Sequence, residues 1–335
     1  MNTAEKCLPQ SERKQKLRGE EQEAEVRYES LRKKTVAELG RSKAYAEDEP
    51  YWLGVLCDAL AEALFAADEG KVLRPDTELR AEELKRFDKA LTRLKSGEPL
   101  PLITGFVYFY GYKIRCFPGV LIPRPDSETL IEAFLDDVKQ RPAQDSELYI
   151  LELCTGSGCL AAAAAGELRR LCPERKFKLT ATDISDKAVA AADFNIRANG
   201  LEEQIDVQKA DLWPEESAAE SPSEAAVLSY DIVLANPPYL SEREWQEADL
   251  APYEPKLALA AGEDGTDLIG RILKEGAARL KEGCRLFLEH GPAQSRMIAS
   301  LAKEGGFWQL SELRKDLAGR ERLSIFELKK RAAEE

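Results

Sequence analysis

The stretch of this chain best suited to chemistry is Leu234-Ala-Asn-Pro-Pro-Tyr-Leu240. An apolar run ends in one amide, Asn236. Two consecutive backbone N–H donors are then missing, at Pro237 and Pro238, and the phenol of Tyr239 follows. A planar amine or amide nitrogen is a weak nucleophile because its lone pair is delocalised. Activating it takes acceptors aimed at its two N–H bonds. The Asn236 side-chain oxygen can be one and the Pro237 carbonyl the other. Proline supplies a carbonyl without a donor, and its stiffness holds the acceptors in place. Tyr239 offers a ring for a flat substrate to pack on. The plain structural alternative is a satisfied amide at a strand end, followed by a rigid turn.

A second constellation precedes it. The apolar run 148–153 leads into Cys154-Thr-Gly-Ser-Gly-Cys-Leu-Ala161 and then a helical pattern. Gly156 and Gly158 permit close backbone approach or unusual dihedrals, and a helix N-terminus behind them supplies N–H donors. Asp183 ends the next apolar run, where a carboxylate can accept both hydroxyls of a ribose. Two ligand classes fit. Gly156, Gly158 and Ala161 satisfy the G-x-G-x-x-A dinucleotide pattern. Glu152, Gly156 and Gly158 equally fit the methyltransferase form, in which Cys154 stands where a further glycine is usual. If that position needs a positive φ, Cys154 is strained; the expectation is that the essential freedom lies at 156 and 158. Glu152 either orients the loop or reaches a cofactor through a neighbour.

These residues must be positioned by a regular frame. From 123 onward, continuous apolar strands (148–154, 177–183, 205–211, 230–236, 284–290) alternate with helical patterns. That implies a parallel sheet covered on both faces, with ligands at the carboxyl ends of its strands. The segment 307–330 can pair as two antiparallel strands. Residues 102–122, rich in aromatic and branched side chains and punctuated by Gly105, Gly111 and Gly119, read as a hairpin. Upstream, Trp52, Val55, Leu56, Ala59, Leu60 and Ala63 share one helical face, as do Leu84, Phe87, Leu91 and Leu94. Ala24, Tyr28, Leu31, Thr35 and Leu39 mark a surface helix. The expected organisation is a charged, partly helical extension (1–48), a helical substrate-docking domain (49–100), a linking hairpin (101–122) and a catalytic domain (123–335). Residues 214–229 read as an acidic, mobile loop.

Composition narrows the function. Lys and Arg number 48 against 61 Asp and Glu, a net charge of -13. That disfavours sequence-independent nucleic-acid binding, which relies on phosphate neutralisation. No apolar run approaches a membrane span, and the first residues carry no secretory signal. Seven scattered cysteines without a CxxC pair indicate reduced thiols in a cytoplasmic protein and no metal site. His290, the only histidine, ends a strand and is expected to be a hydrogen-bonded structural residue, so no histidine base is assigned.

The loop from Glu152 to Gly158, Asp183 and Asn236-Pro-Pro-Tyr239 together resemble class I S-adenosylmethionine-dependent methyltransferases acting on planar nitrogen. That group includes DNA adenine, rRNA guanine and protein-glutamine enzymes. Gly119–Leu135 (GVLIPRPDSETLIEAFL), Tyr253–Leu273, Leu286–Gly291 and Asp316–Leu328 are similar, in order, to segments of the PrmC/HemK family, which methylates a glutamine of peptide chain release factors. A sister family that methylates a ribosomal-protein glutamine typically has Pro-Arg-Ser where this chain has Pro123-Arg124-Pro125.

The resemblance implies a Rossmann-like, mostly parallel, seven-stranded sheet with an antiparallel last strand, an N-terminal helical domain and a linking β-hairpin. It implies S-adenosylmethionine as cofactor, S-adenosylhomocysteine as product, class I release factors as partners, no nucleic-acid substrate and a monomeric enzyme. Glu152, Cys154, Thr155, Gly156, Ser157, Gly158, Asp183, Asp211, Leu212 and Asn236 would border the cofactor. Asn236, Pro237, Pro238, Tyr239, Phe109 and Arg124 would border the substrate, with Asn236, Pro237 and Tyr239 catalytic. Arg124 is equally suited to a structural ion pair, and Asp126 to capping the helix after it. The chain departs from the family at Leu212, where a tryptophan is frequent (here Trp213 comes next). It also departs at Tyr108, where Glu is usual, and in lacking a histidine before Thr104-Gly105. A nicotinamide dehydrogenase would use the same glycine loop, but would leave Asn-Pro-Pro-Tyr without a purpose.

Overall fold

A computed structural model describes residues 26–69, 73–141, 147–214, 230–248 and 252–329. Most of the charged start of the chain and of the expected acidic loop lies outside the described residues. The chain divides into two compact units between Thr104 and Gly105.

The first unit holds helices α1 (Tyr28–Leu39), α2 (Pro50–Glu69), α3 (Ala81–Lys95) and α4 (Leu100–Thr104). Short strands β1 (Val26–Arg27) and β2 (Glu78–Leu79) pair antiparallel. On α1, Tyr28, Leu31, Thr35 and Leu39 are buried at the expected spacing. On α3, Glu83, Phe87, Ala90, Leu91 and Leu94 are buried, so Leu84 lies at the margin. On α2 the structure corrects the expected face. Leu53, Cys57, Leu60, Ala61 and Phe65 are buried, whereas Trp52 is 60% and Val55 43% exposed. This helix is apolar on nearly every side, so periodicity alone does not select the face that packs. Phe65 and Phe87 stack at the centre, 5.9 Å apart.

The second unit begins with the hairpin β3 (Phe106–Phe109) and β4 (Tyr112–Arg115). Its two-residue turn takes positive φ at both positions, 49° at Tyr110 and 83° at Gly111, the geometry that matches strand twist. Tyr110 is held there by Glu128, whose Oε1 accepts its N–H at 2.7 Å.

The hairpin lies on two helices of its own unit, α6 (Cys159–Leu171) and α7 (Asp186–Ala198). Asn195 Oδ1 accepts the Arg115 N–H at 2.8 Å and its Nδ2 donates to the Arg115 carbonyl at 3.1 Å. The Tyr112 phenol donates to Glu167 at 3.2 Å. It occupies space that only a glycine leaves open, because a Cβ at Gly166 would sit 2.2 Å from its oxygen.

The main sheet has seven strands: β5 (Leu148–Leu153), β6 (Phe177–Asp183), β7 (Ile205–Lys209), β8 (Ile232–Ala235), β9 (Arg285–Glu289), β10 (Trp308–Lys315) and β11 (Glu321–Leu328). Their order is β10-β11-β9-β8-β5-β6-β7. The pairs β5/β6, β6/β7, β5/β8 and β8/β9 are parallel, and β11 runs against both β9 and β10. The expected mostly parallel sheet with an antiparallel last strand is thus present.

Alternation along the strands feeds two cores. Ile150, Ile232, Leu234 and Phe287 face α5 (Glu128–Gln140), α6 and α7. Leu151, Val233, Leu286 and Leu288 face α9 (Asp267–Arg279) and α10 (Ser295–Gly305), which follow the short helix α8 (Glu242–Glu247). Ala161 to Ala165 of α6 are fully buried, and their small side chains let the helix approach the sheet closely. Burying a side chain such as Phe134 or Phe287 contributes about 2–3 kcal/mol. Among the described residues, no helix is long and apolar enough to cross a membrane.

Candidate active site

The chain leaves β5 toward one side of the sheet and reaches β8 on the other. The carboxyl ends of these paired strands therefore form a topological switch point, where open α/β sheets bind ligands. The glycine loop follows β5 and Asn236 follows β8, so strand order alone brings the two constellations together.

In the glycine loop, Cys154, Gly156 and Gly158 all have positive φ, at 58°, 55° and 77°. The left-handed conformation therefore extends to Cys154, beyond the two glycines where freedom was expected. Gly158 caps α6, and a Cβ there would lie 3.0 Å from Ala192 Cα and Cβ. A Cβ on Gly156 would meet nothing within 4 Å, so its backbone borders open space.

Glu152 is fully buried beneath the loop. Its Oε2 accepts the Thr155 hydroxyl at 2.7 Å, and among the described residues its Oε1 has no hydrogen-bond partner. Burial pushes its carboxyl up to about 8, against the Thr155 hydrogen bond. Asp183 Oδ2 accepts the Gly156 N–H and Oδ1 the Ser185 N–H, both at 2.9 Å. Burial raises its pKa and these backbone donors oppose the shift. Each carboxylate oxygen has room for a further donor.

A cavity lies outside these strand ends. Cys154, Gly156, Asp183, Asp211, Leu212, Asn236 and Pro238 line it, all expected at the site. Val120, Ile184, Leu257, Leu268 and Arg271 also line it and were not anticipated. They come from loops and from α9 and carry no local motif. The best available signals were the position of Ile184 next to Asp183 and the place of Leu257 and Arg271 within the segment 253–273.

The structure resolves which residue follows Asp211 into the cavity. Leu212 adopts φ 67° and lines it. Trp213 turns away into the core and donates its Nε1–H to Glu275 at 2.8 Å. Arg271 grips the Asp211 carboxylate with two nitrogens, at 3.1 and 3.2 Å.

At the other end, Asn236 Nδ2 donates to Ser127 Oγ at 3.1 Å. Among the described residues no donor is bonded to Asn236 Oδ1 or to the Pro237 carbonyl. The first two N–H groups after the prolines, those of Tyr239 and Leu240, both donate to the Leu259 carbonyl, at 3.0 and 2.7 Å. Gln294 Nε2 donates to the Tyr239 carbonyl at 2.8 Å. The turn is thus anchored at its far end and leaves acceptors at its near end. The Tyr239 phenol donates to Glu289 Oε1 at 3.4 Å, and burial raises its pKa.

Thr155, Ser157 and Pro237 lie within the loop and the turn with their side chains buried. Other expected site residues are placed elsewhere. Phe109 is 1% exposed in the core under α5, while Tyr108 on the opposite face of β3 is 63% exposed. The hairpin packs its Phe109 side inward, so that ring is not brought to the cavity. Arg124 pairs with the buried Glu254, whose Oε1 also accepts the Ile122 N–H at 2.9 Å. Asp126 forms no helix cap. A 3₁₀ turn at Pro125–Ser127 precedes α5, and the Asp126 carboxylate takes Arg320 and Arg322 of the last hairpin at 2.9 and 3.0 Å. His290 is structural, its Nδ1–H donating to the Gly291 carbonyl at 2.8 Å and its Nε2 facing Ser324 Oγ at 2.9 Å.

A Rossmann-like sheet with a glycine loop and an Asn-Pro-Pro-Tyr turn at its switch point is the architecture of a class I methyltransferase. The family model described as methyltransferase small domain matches residues 127–251, and that described as PrmC N-terminal domain matches 58–105. The chain is 34% identical over 253 residues to the release factor glutamine methyltransferase of Koribacter versatilis, covering 75% of this chain and 82% of the relative. It is 32% identical to those of Rhodopirellula baltica (72% and 78% covered) and Thermodesulfovibrio yellowstonii (78% and 88% covered). The chain belongs to the release factor glutamine methyltransferase family.

A methyltransferase of this class uses S-adenosylmethionine, and the cavity fits such a molecule. It offers a carboxylate at Asp183, an apolar wall of Ile184, Leu212, Leu257 and Leu268, a glycine backbone with open space before it, and the Asn236 amide at one end.

Proposed function

We propose that this enzyme transfers a methyl group from S-adenosylmethionine to the side-chain nitrogen (N5) of the glutamine in the Gly-Gly-Gln motif of class I peptide chain release factors. The observation that carries the reading is the pair of unsatisfied acceptors, Asn236 Oδ1 and the Pro237 carbonyl, beside a nucleoside-sized crevice. Bound S-adenosylmethionine supplies an electrophilic methyl on a cationic sulfur. Asp183 would hold the ribose hydroxyls, and Ile184 and Leu212 would flank the base. Asn236 and Pro237 would each accept one hydrogen of the glutamine amide, holding its nitrogen in line and enriching it in electron density. The apolar wall excludes water, which favours a step in which positive charge on sulfur is lost. The S–CH3 bond breaks as the N–CH3 bond forms, S-adenosylhomocysteine would be the product, and the surplus amide proton would leave to solvent after the transfer.

The test is mass spectrometry of a class I release factor incubated with enzyme and S-adenosylmethionine. One added methyl on the Gly-Gly-Gln glutamine is expected, and none with Asn236→Ala. Methyl found instead on a ribosomal protein, DNA or rRNA, or full turnover by Asn236→Ala, overturns the reading.

A further inference from the structure

Strand alternation puts Phe109 and Ile114 on the buried side of the hairpin and leaves Phe106, Tyr108, Lys113 and Arg115 on the other. These four face one another in the cross-strand pairs Phe106/Arg115 and Tyr108/Lys113. Both cations rest on rings. Lys113 Nζ lies 4.1 Å from the centre of the Phe106 ring, and the Arg115 guanidinium lies 5.6 and 5.3 Å from those of Phe117 and Phe194. Phe117 and the exposed Phe194 meet edge to face at 5.5 Å. Asn195 clamps the Arg115 backbone through its N–H and its carbonyl.

The chain has carboxylates in excess, 61 against 48 Lys and Arg, yet among the described residues Lys113 and Arg115 pair with none. The nearby acids on α7 are already matched, Asp193 by Arg197 at 2.9 Å and Asp186 by Lys209 at 2.7 Å. Lys187 also pairs with no carboxylate among the described residues. It lies two turns before Phe194 on the same face of α7, and a Cβ at Gly119 would stand 3.2 Å from its Nζ. Gly119 lines the cofactor cavity. Three cations without carboxylate partners thus form a strip from the hairpin to the wall of that cavity.

We infer that this strip is a docking surface for an acidic segment of the release factor, holding that segment while the substrate glutamine reaches Asn236. A ring and a carboxylate each stabilise an exposed cation by a similar amount, about 0.5–1 kcal/mol. Hairpin stability therefore does not select rings. What differs is what remains outward. A cation beside a carboxylate is neutralised, whereas a cation on a ring keeps its charge and its N–H donors for a partner's carboxylate. The rings also hold these long side chains in place beforehand, which lowers the ordering cost of binding. A protein carboxylate fits better than a nucleic-acid phosphate. Three cations on a chain of net charge -13 make a short track for a polyphosphate, and the rings that would stack on bases already carry cations.

The inference rests on release factors being the substrate. Arg115 also serves the hairpin, so the test is placed first on the two lysines. It compares wild type, Lys113→Glu with Lys187→Glu, and Arg115→Gln on a full-length class I release factor. It reads kcat and KM at low and high salt, S-adenosylhomocysteine affinity by calorimetry, and the melting temperature. The double lysine variant should raise KM on the order of tenfold, with kcat changed by no more than about twofold. Its cofactor affinity and melting temperature should stay at the wild-type values. High salt should raise the wild-type KM and leave that of the variant, because screening acts on the same charges. Arg115→Gln should raise KM as well. A photoreactive Tyr108→p-benzoylphenylalanine should crosslink to a release-factor peptide rich in Asp and Glu.

A wild-type KM in the double lysine variant overturns the inference and leaves the glutamine reading standing, and so does crosslinking only to peptides without Asp or Glu. Binding of single-stranded oligouridylate that the double variant loses, with KM unchanged, also overturns it and makes the strip a nucleic-acid site. No methylation of the release factor by wild type removes the reading beneath it.

Discussion

Asp183 holds Gly156 across the gap between β6 and the loop after β5: its Oδ2 accepts the Gly156 N–H at 2.9 Å while its Oδ1 accepts from Ser185. One carboxylate thereby fixes the loop and keeps capacity for a ligand. Asparagine at this position has a single accepting oxygen, so one of the two N–H groups must face an amide NH2. Asp183→Asn is expected to weaken S-adenosylhomocysteine binding at least tenfold, because a lost charge-assisted bond costs about 1.5–3 kcal/mol. Isothermal calorimetry measures this, and wild-type affinity in the variant would show that Asp183 serves the loop alone.

Gly158 has two reasons to be glycine, its φ of 77° and the 3.0 Å that a Cβ would leave to Ala192. Gly158→Ala should lower unfolding free energy by about 1–3 kcal/mol, from backbone strain and the push against α7. Urea unfolding with an unchanged m-value is the measurement. A midpoint equal to wild type would mean that α7 yields without cost.

The buried Glu152 makes apo-protein stability depend on pH. Its folded-state pKa, about 8, lies above the ordinary value of 4.5. Between these values the folded state binds the extra proton. Its contribution is therefore full below the unfolded value and is lost as pH rises toward 8. Glu152→Gln can still accept the Thr155 hydroxyl and carries no charge. Melting temperatures taken from acid to mildly alkaline pH should fall less steeply in that variant. Parallel slopes would assign the dependence to other groups.

Gly166 and Tyr112 should show coupling of opposite sign. Alanine at 166 is destabilising in the wild-type background, because its Cβ would sit 2.2 Å from the phenol oxygen. With Tyr112→Ala in place that obstacle is gone. The same Gly166→Ala change should then stabilise α6 by up to about 1 kcal/mol through helix propensity. Chemical denaturation of the two single variants and the double variant decides the matter, and additive effects would refute the steric account.

The residues that make the sheet and its switch point could be read directly, because the central strands β5 and β8 are largely buried, mostly apolar runs and the glycine loop and Asn236 follow them. Three features were not legible, each for a physical reason. The packed face of α2 is masked by apolar residues all around the helix, so Trp52 was placed inside and is exposed. In β3 the alternation of Tyr108 and Phe109 is plain, but which side turns inward depends on the helices beneath. The wall formed by Ile184, Leu257 and Leu268 joins the end of β6 to the distant segment 253–273, and no spacing rule links them. At Leu212 the left-handed backbone, φ 67°, that brings leucine to the cavity and sends Trp213 into the core leaves no trace in residue type.

The placement of β11 has a consequence for synthesis. β10 is made first, yet among the described residues its one neighbour in the sheet is β11, which also pairs with β9. While β10 leaves the ribosome it has no strand to join. The edge of the sheet closes only when residues 321–328 are free, and with them the arginines that hold Asp126. Until then Ser127 and its neighbours lack part of their support. The enzyme's own acceptor site should mature late, after the ribosome has released the segment that completes it.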